Sequence, residues 1–272
     1  MRWVDQDEAS ALAGTRTSGG GWWFSGGAWW HPPSLCAAAL KRAGKNLQPH
    51  FATEIAAITP TPAGWSVQNS HGDTLAEAPH LILANAHDLL RFPQTAHLPL
   101  FKFRGQVAHL QAQSDPAPLQ TVVCKEGYVS PAYRNLHCVG ASFHRGGEPA
   151  MRESDHLANI ERLASMLPDY LPEAKHEVMT GKVGFRPVSP DKLPIIGEMY
   201  RPEASPQGRD LSAVERWPGL HIASGYGARG LVWSLLMAEL LTSQINGDPL
   251  PVEADLAAMV DPARFLLRRK EA

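Results

Sequence analysis

Leu220-His221-Ile222-Ala223-Ser224-Gly225-Tyr226-Gly227-Ala228-Arg229-Gly230-Leu231 is an apolar strand running through a glycine turn into a helix, and this stretch decides the fold. The helix continues from Leu231 to Asn246, where Gly247, Pro249 and Pro251 stop it. Gly225 to Gly230 is a literal G-x-G-x-x-G, on pattern alone a dinucleotide fingerprint. That fingerprint needs a following β-α-β unit with an acidic residue about 20 positions on. At that distance lies only Ser243-Gln244-Ile245-Asn246, still inside the helix. What survives is narrower: glycines admit a ligand to the backbone, and the helix N-terminus offers N–H groups to an anionic or electron-rich partner. The alternative is glycine for tight strand–helix packing.

Upstream, Gly184-Phe185-Arg186-Pro187-Val188-Ser189-Pro190-Asp191-Lys192-Leu193-Pro194-Ile195-Ile196-Gly197 places Arg186 at a strand end between apolar neighbours, ahead of proline-stiffened chain. Such a setting holds a guanidinium for bidentate carboxylate binding.

Towards the N-terminus, Asp5 to Ala13 reads as a capped helix stopped by Gly14, and Pro33 to Ala43 as a helix ended by Gly44. Between them, Ser18 to Pro33 sets glycines around paired tryptophans. That pattern suits a hairpin, either a surface one with aromatic packing or a pocket wall. Strands are expected over His50–Ile58 and Trp65–Gln68, with a turn at Pro60 to Gly64. Leu81 to Ala86 is apolar on both faces, as buried parallel strands are. Leu100 to Gly146 carries short β-like runs of an antiparallel sheet. Ser154 to Leu167 is an amphipathic helix with Leu157, Ile160, Leu163, Ala164 and Leu167 on its stripe. Met179 to Val188 follows, and Pro202 to Gln207 is a surface loop. The class is α+β: an α/β lobe plus an antiparallel-sheet lobe, built from a discontinuous chain. The expected division is 1–95, holding the tryptophan–glycine hairpin, then 96–200 with the antiparallel sheet and its helix, then 201–272 returning to the first lobe.

The 272 residues are 44% hydrophobic and 19% charged, which excludes a disordered chain, and the net charge of −2 advertises no polyanionic partner globally. Cys36, Cys124 and Cys138 form no C-x-x-C, so neither a disulfide framework nor a zinc site is favoured. They are expected to be buried or idle in a reducing compartment. His87, His109 and His144 show no metal-ligand spacing and read as structural or substrate-lining. With no signal peptide and no apolar run long enough to span a bilayer, the expectation is a soluble cytoplasmic protein without membrane contact.

At Gly184–Gly197 and Gly225–Gly230 the chain resembles the D-amino-acid-oxidase-like flavoproteins, which include glycine and sarcosine oxidases. Within that family it is most similar to the oxidase half of bifunctional enzymes that modify the wobble uridine of tRNA, where a methyltransferase portion lies upstream. Supporting stretches are Leu83-Ala84-Asn85-Ala86-His87, Arg104-Gly105-Gln106-Val107-Ala108-His109, Gly127-Tyr128-Val129-Ser130-Pro131, Gly140-Ala141-Ser142-Phe143-His144-Arg145-Gly146 and Asp261-Pro262-Ala263-Arg264-Phe265. The resemblance implies an FAD-dependent oxidase with a partial FAD/NAD(P)-binding fold and tRNA as substrate. It implies Arg186 as the substrate-carboxylate anchor and Tyr128 as a substrate-side hydroxyl or, equally, an aromatic of the sheet. Gly225, Tyr226, Gly227, Ala228, Arg229, Gly230, Leu231, Ala84 and Ile55 are implied as flavin contacts. It also implies removal of a carboxymethyl group, as glyoxylate, from 5-carboxymethylaminomethyl-uridine.

Two rivals stand beside it: an amine oxidase of free glycine or sarcosine, and a non-catalytic RNA-binding fragment. Family members place the FAD pyrophosphate on a glycine loop opening a first βαβ unit. No such loop precedes Trp22, and the only helix there opens with Asp5, Asp7 and Glu8. The isolated chain is therefore expected to hold FAD poorly without an upstream flavin-binding portion. Arg264, Arg268, Arg269 and Lys270 read as a small basic tail, either a phosphate contact or a solvated end.

Overall fold

The computed structural model describes residues 1–112, 118–170, 180–204 and 210–268. The chain forms two compact units, one from Met1–Arg42 with Arg104–Phe185, the other from Ala43–Phe103 with Arg186–Ala272. The α+β class is as expected. The boundaries at 95/96 and 200/201 both fall inside the second unit, and residues 1–42 go with the antiparallel sheet.

In the first unit, the long strand Phe101–Gln111 pairs with Leu136–Gly140, His144–Arg145 and Thr180–Val188, and the sheet runs on through Tyr128–Val129 to Val123–Cys124. Leu136–Gly140 is antiparallel to Phe101–Gln111, with Cys138 opposite His109. The helix Glu153–Met166 covers this sheet. Ile160, Leu163, Met166 and Leu167 join Leu110, Val129 and Val139 in one buried cluster, to which Ala13 adds the N-terminal helix. Leu157 and Ala164, expected on the apolar stripe, are exposed instead, because Asp155 and Asn159 take the buried face.

The N-terminal helix Gln6–Ala13 has the caps its sequence specifies: the Asp5 carboxylate accepts from the Glu8 N–H at 2.9 Å, and Gly14 closes it at φ +76°. Backbone bonds from Gln120 to Ala13 (2.9 Å) and from Ser18 to Met166 (2.8 Å) tie this segment to the sheet unit. The tryptophan–glycine segment does not close on itself as a hairpin. Gly21–Trp23 pairs instead with Arg2–Val4, and Trp22 packs edge-on against Trp3 at 5.5 Å.

In the second unit, Ala57–Thr61, Gly64–Gln68 and Thr74–Ala78 form an antiparallel meander. The strand expected over His50–Ile58 begins only at Ala57. Pro60, expected in the turn, lies in this strand opposite Trp65; the strand is a sheet edge, where proline's missing N–H is tolerated. A second sheet orders Ile195–Tyr200, Arg216–Ser224 and Leu81–Leu83, the last pair parallel with Ile222 opposite Leu83. Leu83, Ile195, Met199, Leu220 and Ile222 lie in its core, but Ile82 is 47% exposed, so only one face of this strand is covered. The helix Gly230–Asn246, closed by Gly247 at φ +73°, packs Met237, Leu240 and Leu241 against Ile196.

All three cysteines are free; Cys36 and Cys124 are exposed rather than buried, and Cys138 is half-buried. No helix among the described residues is long and apolar enough to cross a membrane. Residues 171–179, where one strand was expected to open at Met179, and the loop residues 205–207 lie outside the described residues, as do Arg269 and Lys270.

Candidate active site

The strand Thr180–Val188 ends where Val188 makes an isolated antiparallel bridge to Tyr226, the second residue of the glycine turn. Residues two apart on a strand share a face and lie roughly 7 Å apart. Half-buried Arg186 therefore shares the face of Val188, whose Cγ2 lies 3.7 Å from where a Gly227 Cβ would sit. The two segments singled out by sequence thus meet within one unit.

The glycines of the turn have different jobs. Gly225 is buried at φ +76°, and a Cβ there would stand 3.1 Å from Ile195 Cγ1 and 3.2 Å from the Ile195 nitrogen; close packing demands it. Gly227, at φ +55°, meets only ordinary contact, so its requirement is conformational. Tyr226 packs against the Ile196–Met237 cluster, and burial pushes its phenol pKa up. Ala228, Arg229 and Leu231 are exposed, and no side chain caps the helix N-terminus that follows.

Asp191 of the same proline-rich stretch is a structural anchor. Its carboxylate takes two hydrogen bonds from Arg264, Nε at 2.9 Å and Nη2 at 3.1 Å, and one each from the Ser189 hydroxyl and the Leu193 N–H. Burial alone would raise its pKa, but these donors and the Arg264 charge hold it down at about 2. Arg264 is buried, its other donors on the Val260, Asp261 and Leu193 carbonyls. It is no part of a solvated basic tail. Sequence reading quoted Asp191 and Arg264 in separate stretches, 73 positions apart, and did not pair them.

Arg104, Gln106, Ser142 and His144, from the R-G-Q and G-A-S-F-H stretches, gather in the first unit around Asp155 and Asn159. Buried Arg104 pairs with Asp155 and donates to Gln106 Oε1 (2.7 Å) and the Ala150 and Glu148 carbonyls. Gln106 donates to the Arg152 carbonyl at 2.7 Å, Asn159 to the Gln106 carbonyl at 3.0 Å, and His144 Nε2 lies 3.1 Å from Asp155. Burial would raise the Asp155 pKa; Arg104 and His144 bring it below the usual carboxylate value. These motif residues bind sheet to helix.

Tyr128, in the first unit, pairs with Gly140 in the sheet, and its hydroxyl lies 3.7 Å from Cys138 Sγ. His109 Nδ1 lies 3.4 Å from the Thr180 hydroxyl. In the second unit Ala84 is exposed at the end of the parallel strand, while Ile55 packs against the core cluster. His87 lies in the short helix Ala86–Arg91, and burial lowers its pKa. Among the described residues no group of His, Cys, Asp or Glu could hold a metal.

The turn suits one part of a flavin. An uncapped N-terminus of a 17-residue helix, with exposed Ala228 and Leu231 beside it, offers N–H donors to the electron-rich edge of a flat ring and apolar contact to its face. A diphosphate finds no equivalent at the first helix, where Asp5 already caps the N–H groups and Asp7 and Glu8 add negative charge.

The chain matches the FAD dependent oxidoreductase (DAO) family over residues 1–244. It is 43% identical over 98% of its length to the tRNA 5-methylaminomethyl-2-thiouridine biosynthesis bifunctional protein MnmC of Aromatoleum aromaticum, covering 42% of that protein. It is 39% identical to MnmC of Paraburkholderia phytofirmans over 97% of its own length and again 42% of the relative. The chain thus spans about two-fifths of the curated relatives it matches. Among solved structures it is similar to glycine oxidase from Geobacillus kaustophilus (TM-score 0.74, 22% identity, 94% of this chain and 65% of that one). Iminodiacetate oxidase from Chelativorans sp. is similar at TM-score 0.76 and 21% identity, over 96% of this chain and 68% of that one. At such identities the structural likeness speaks for fold alone.

Proposed function

The chain belongs to the DAO family of FAD-dependent oxidoreductases, and from that premise we propose that it forms the substrate and flavin-ring portion of an oxidase acting on a modified wobble uridine of tRNA. The substrate is 5-carboxymethylaminomethyl-(2-thio)uridine, in effect an N-substituted glycine. Its carboxymethyl carbon is oxidised to the imine, and water releases glyoxylate and the aminomethyl base. FAD, when bound, supplies the two-electron acceptor for that C–H bond.

The observation that carries this reading is the Val188–Tyr226 bridge, which sets the strand bearing Arg186 beside the glycine turn. Arg186 binds the substrate carboxylate through its planar fork and so fixes the methylene carbon; held that way, the reaction gains chiefly from positioning. Gly227 to Leu231 hold the ring edge at the helix N-terminus, whose N–H groups favour negative charge on it. The MnmC relatives are named for tRNA modification, which supports tRNA over a free amine as substrate.

The test is glyoxylate release from tRNA carrying the carboxymethylaminomethyl base, by the chain joined to an upstream flavin-binding portion and loaded with FAD, and by its Arg186→Ala and Arg186→Lys variants. Arg186→Ala should lose about 3 kcal/mol of transition-state binding, roughly a hundredfold in kcat/KM, with partial recovery in the lysine variant. Unchanged kcat/KM in Arg186→Ala would remove Arg186 from the site. Turnover of free glycine but not of the tRNA would replace the substrate.

A further inference from the structure

Leu220, Ile222 and Ser224 occupy alternate positions of the strand Arg216–Ser224 and share one of its faces. All three are fully buried, and the first two belong to the core cluster of the second unit. An aliphatic side chain would continue that pattern at its third position. A serine there gives up apolar burial and hides a hydroxyl from water, which is costly unless the hydroxyl finds a partner. Its partner is 138 positions away: Ser224 Oγ donates to the Ala86 carbonyl at 2.9 Å.

Ala86 is itself unusual. It has φ +57°, in the left-handed region that a residue with a Cβ rarely enters, and it opens the short helix Ala86–Arg91 directly after Ala84 and Asn85. Backbone in that region persists where its surroundings fix it. Here the Asp88 N–H bonds the Asn85 carbonyl at 3.2 Å from within the segment, and Ser224 bonds Ala86 from outside it. The two segments so joined follow the carboxyl ends of neighbouring parallel strands. Leu81–Leu83 pairs with Arg216–Ser224, Leu83 opposite Ile222; one strand then runs into Ala84–His87 and the other into Gly225–Gly230.

In open sheets, ligands lie beyond the carboxyl ends of parallel strands, among the loops that leave them. The proposed flavin contacts Ala84 and Gly225 to Leu231 stand on these two segments, and the Ser224 hydroxyl ties one to the other. We infer that Ser224 is a positioning residue for the flavin ring: its hydroxyl fixes the segment Ala84–His87 against the glycine turn, so that both sets of contacts are held at one spacing. The inference rests on the flavin reading above and deepens it, because Ser224 acts through the Ala86 backbone. A serine kept only for its small size has a different consequence, since alanine would then serve as well.

The experiment titrates FAD into the chain joined to an upstream flavin-binding portion and records affinity and the visible spectrum of the bound flavin. The variants are Ser224→Ala, Ser224→Ala combined with Ala86→Gly, and Ser66→Ala. Ser224→Ala should bind FAD roughly tenfold more weakly, the size of one lost hydrogen bond, with shifted flavin bands. Adding Ala86→Gly should recover about threefold of that loss, because glycine takes a positive φ without strain. Ser66→Ala removes another buried serine hydroxyl of the same unit, 3.4 Å from Thr74 Oγ1 in the meander, and should leave affinity and spectrum unchanged. An affinity within about twofold of the parent and an unchanged spectrum in Ser224→Ala would overturn the assignment. So would a loss that Ala86→Gly does not reduce, or one that Ser66→Ala reproduces. Flavin binding that depends on Ser224, in a parent that releases no glyoxylate from the tRNA, would keep the positioning role and reject the substrate reading.

Discussion

Asp191 and Arg264 illustrate how one pair of residues can set the acid limit of the fold. The carboxylate is held at about 2 in the folded chain, below the roughly 3.9 of an unfolded aspartate. Its folded pKa is depressed, so its contribution is complete above the unfolded value and disappears as pH falls through about 2. The difference is worth about 2 kcal/mol at neutral pH. Stability of the parent relative to Asp191→Asn, followed by denaturant titration, should therefore shrink between about pH 4 and pH 2. A difference that stays constant down to pH 2 would deny the pair that role. The same pair anchors the proline-rich stretch between Arg186 and Ile195, so its loss should also loosen the position of Arg186.

At the scale of elements, the helix Glu153–Met166 and the strand Phe101–Gln111 are joined by polar groups as much as by apolar ones. Leu163 and Ile160 supply burial, while Asp155 and Asn159 meet Arg104 and Gln106 on the same face. Asp155→Ala leaves a buried guanidinium without its carboxylate, and breaking such a pair costs about 3–5 kcal/mol. Chemical denaturation should show that loss, whereas Leu157→Ala, at an exposed position of the same helix, should cost under about 1 kcal/mol. Equal losses in the two variants would mean that the apolar stripe, not the ion pair, seats the helix. The second unit places its glycine turn differently, by a β-bridge and a packed Gly225, with few polar ties.

For the whole molecule, the proposal gives a flavin ring the N-terminus of the helix Gly230–Asn246 and gives a diphosphate no comparable turn among the described residues. Of the two parallel strands, Leu81–Leu83 and Arg216–Ser224, only the second leads through glycines into a helix. On that proposal riboflavin, FMN and FAD should bind this chain with affinities within about threefold of each other, because none of the described residues proposed for the flavin meets the adenosine diphosphate half. Isothermal titration with the three ligands decides it, and a hundredfold preference for FAD would reveal a phosphate cradle in this chain. The sequence by itself determined what depends on neighbours along the chain. The Asp5 cap, the Gly14 and Gly247 stops, the strand–glycine–helix passage and the alternation of the antiparallel sheet are all local, set by backbone sterics and hydrogen bonding within a few residues. Which strand the tryptophan–glycine segment pairs with, where proline is tolerated at a sheet edge, and that Asp155 rather than Leu157 faces the sheet were decided only in three dimensions. So was the fate of Arg264, which reads as a solvated end and is a buried partner of Asp191, 73 positions away. Pairing and burial at such separations depend on which surfaces the packed units bring together, and short-range pattern carries no record of that.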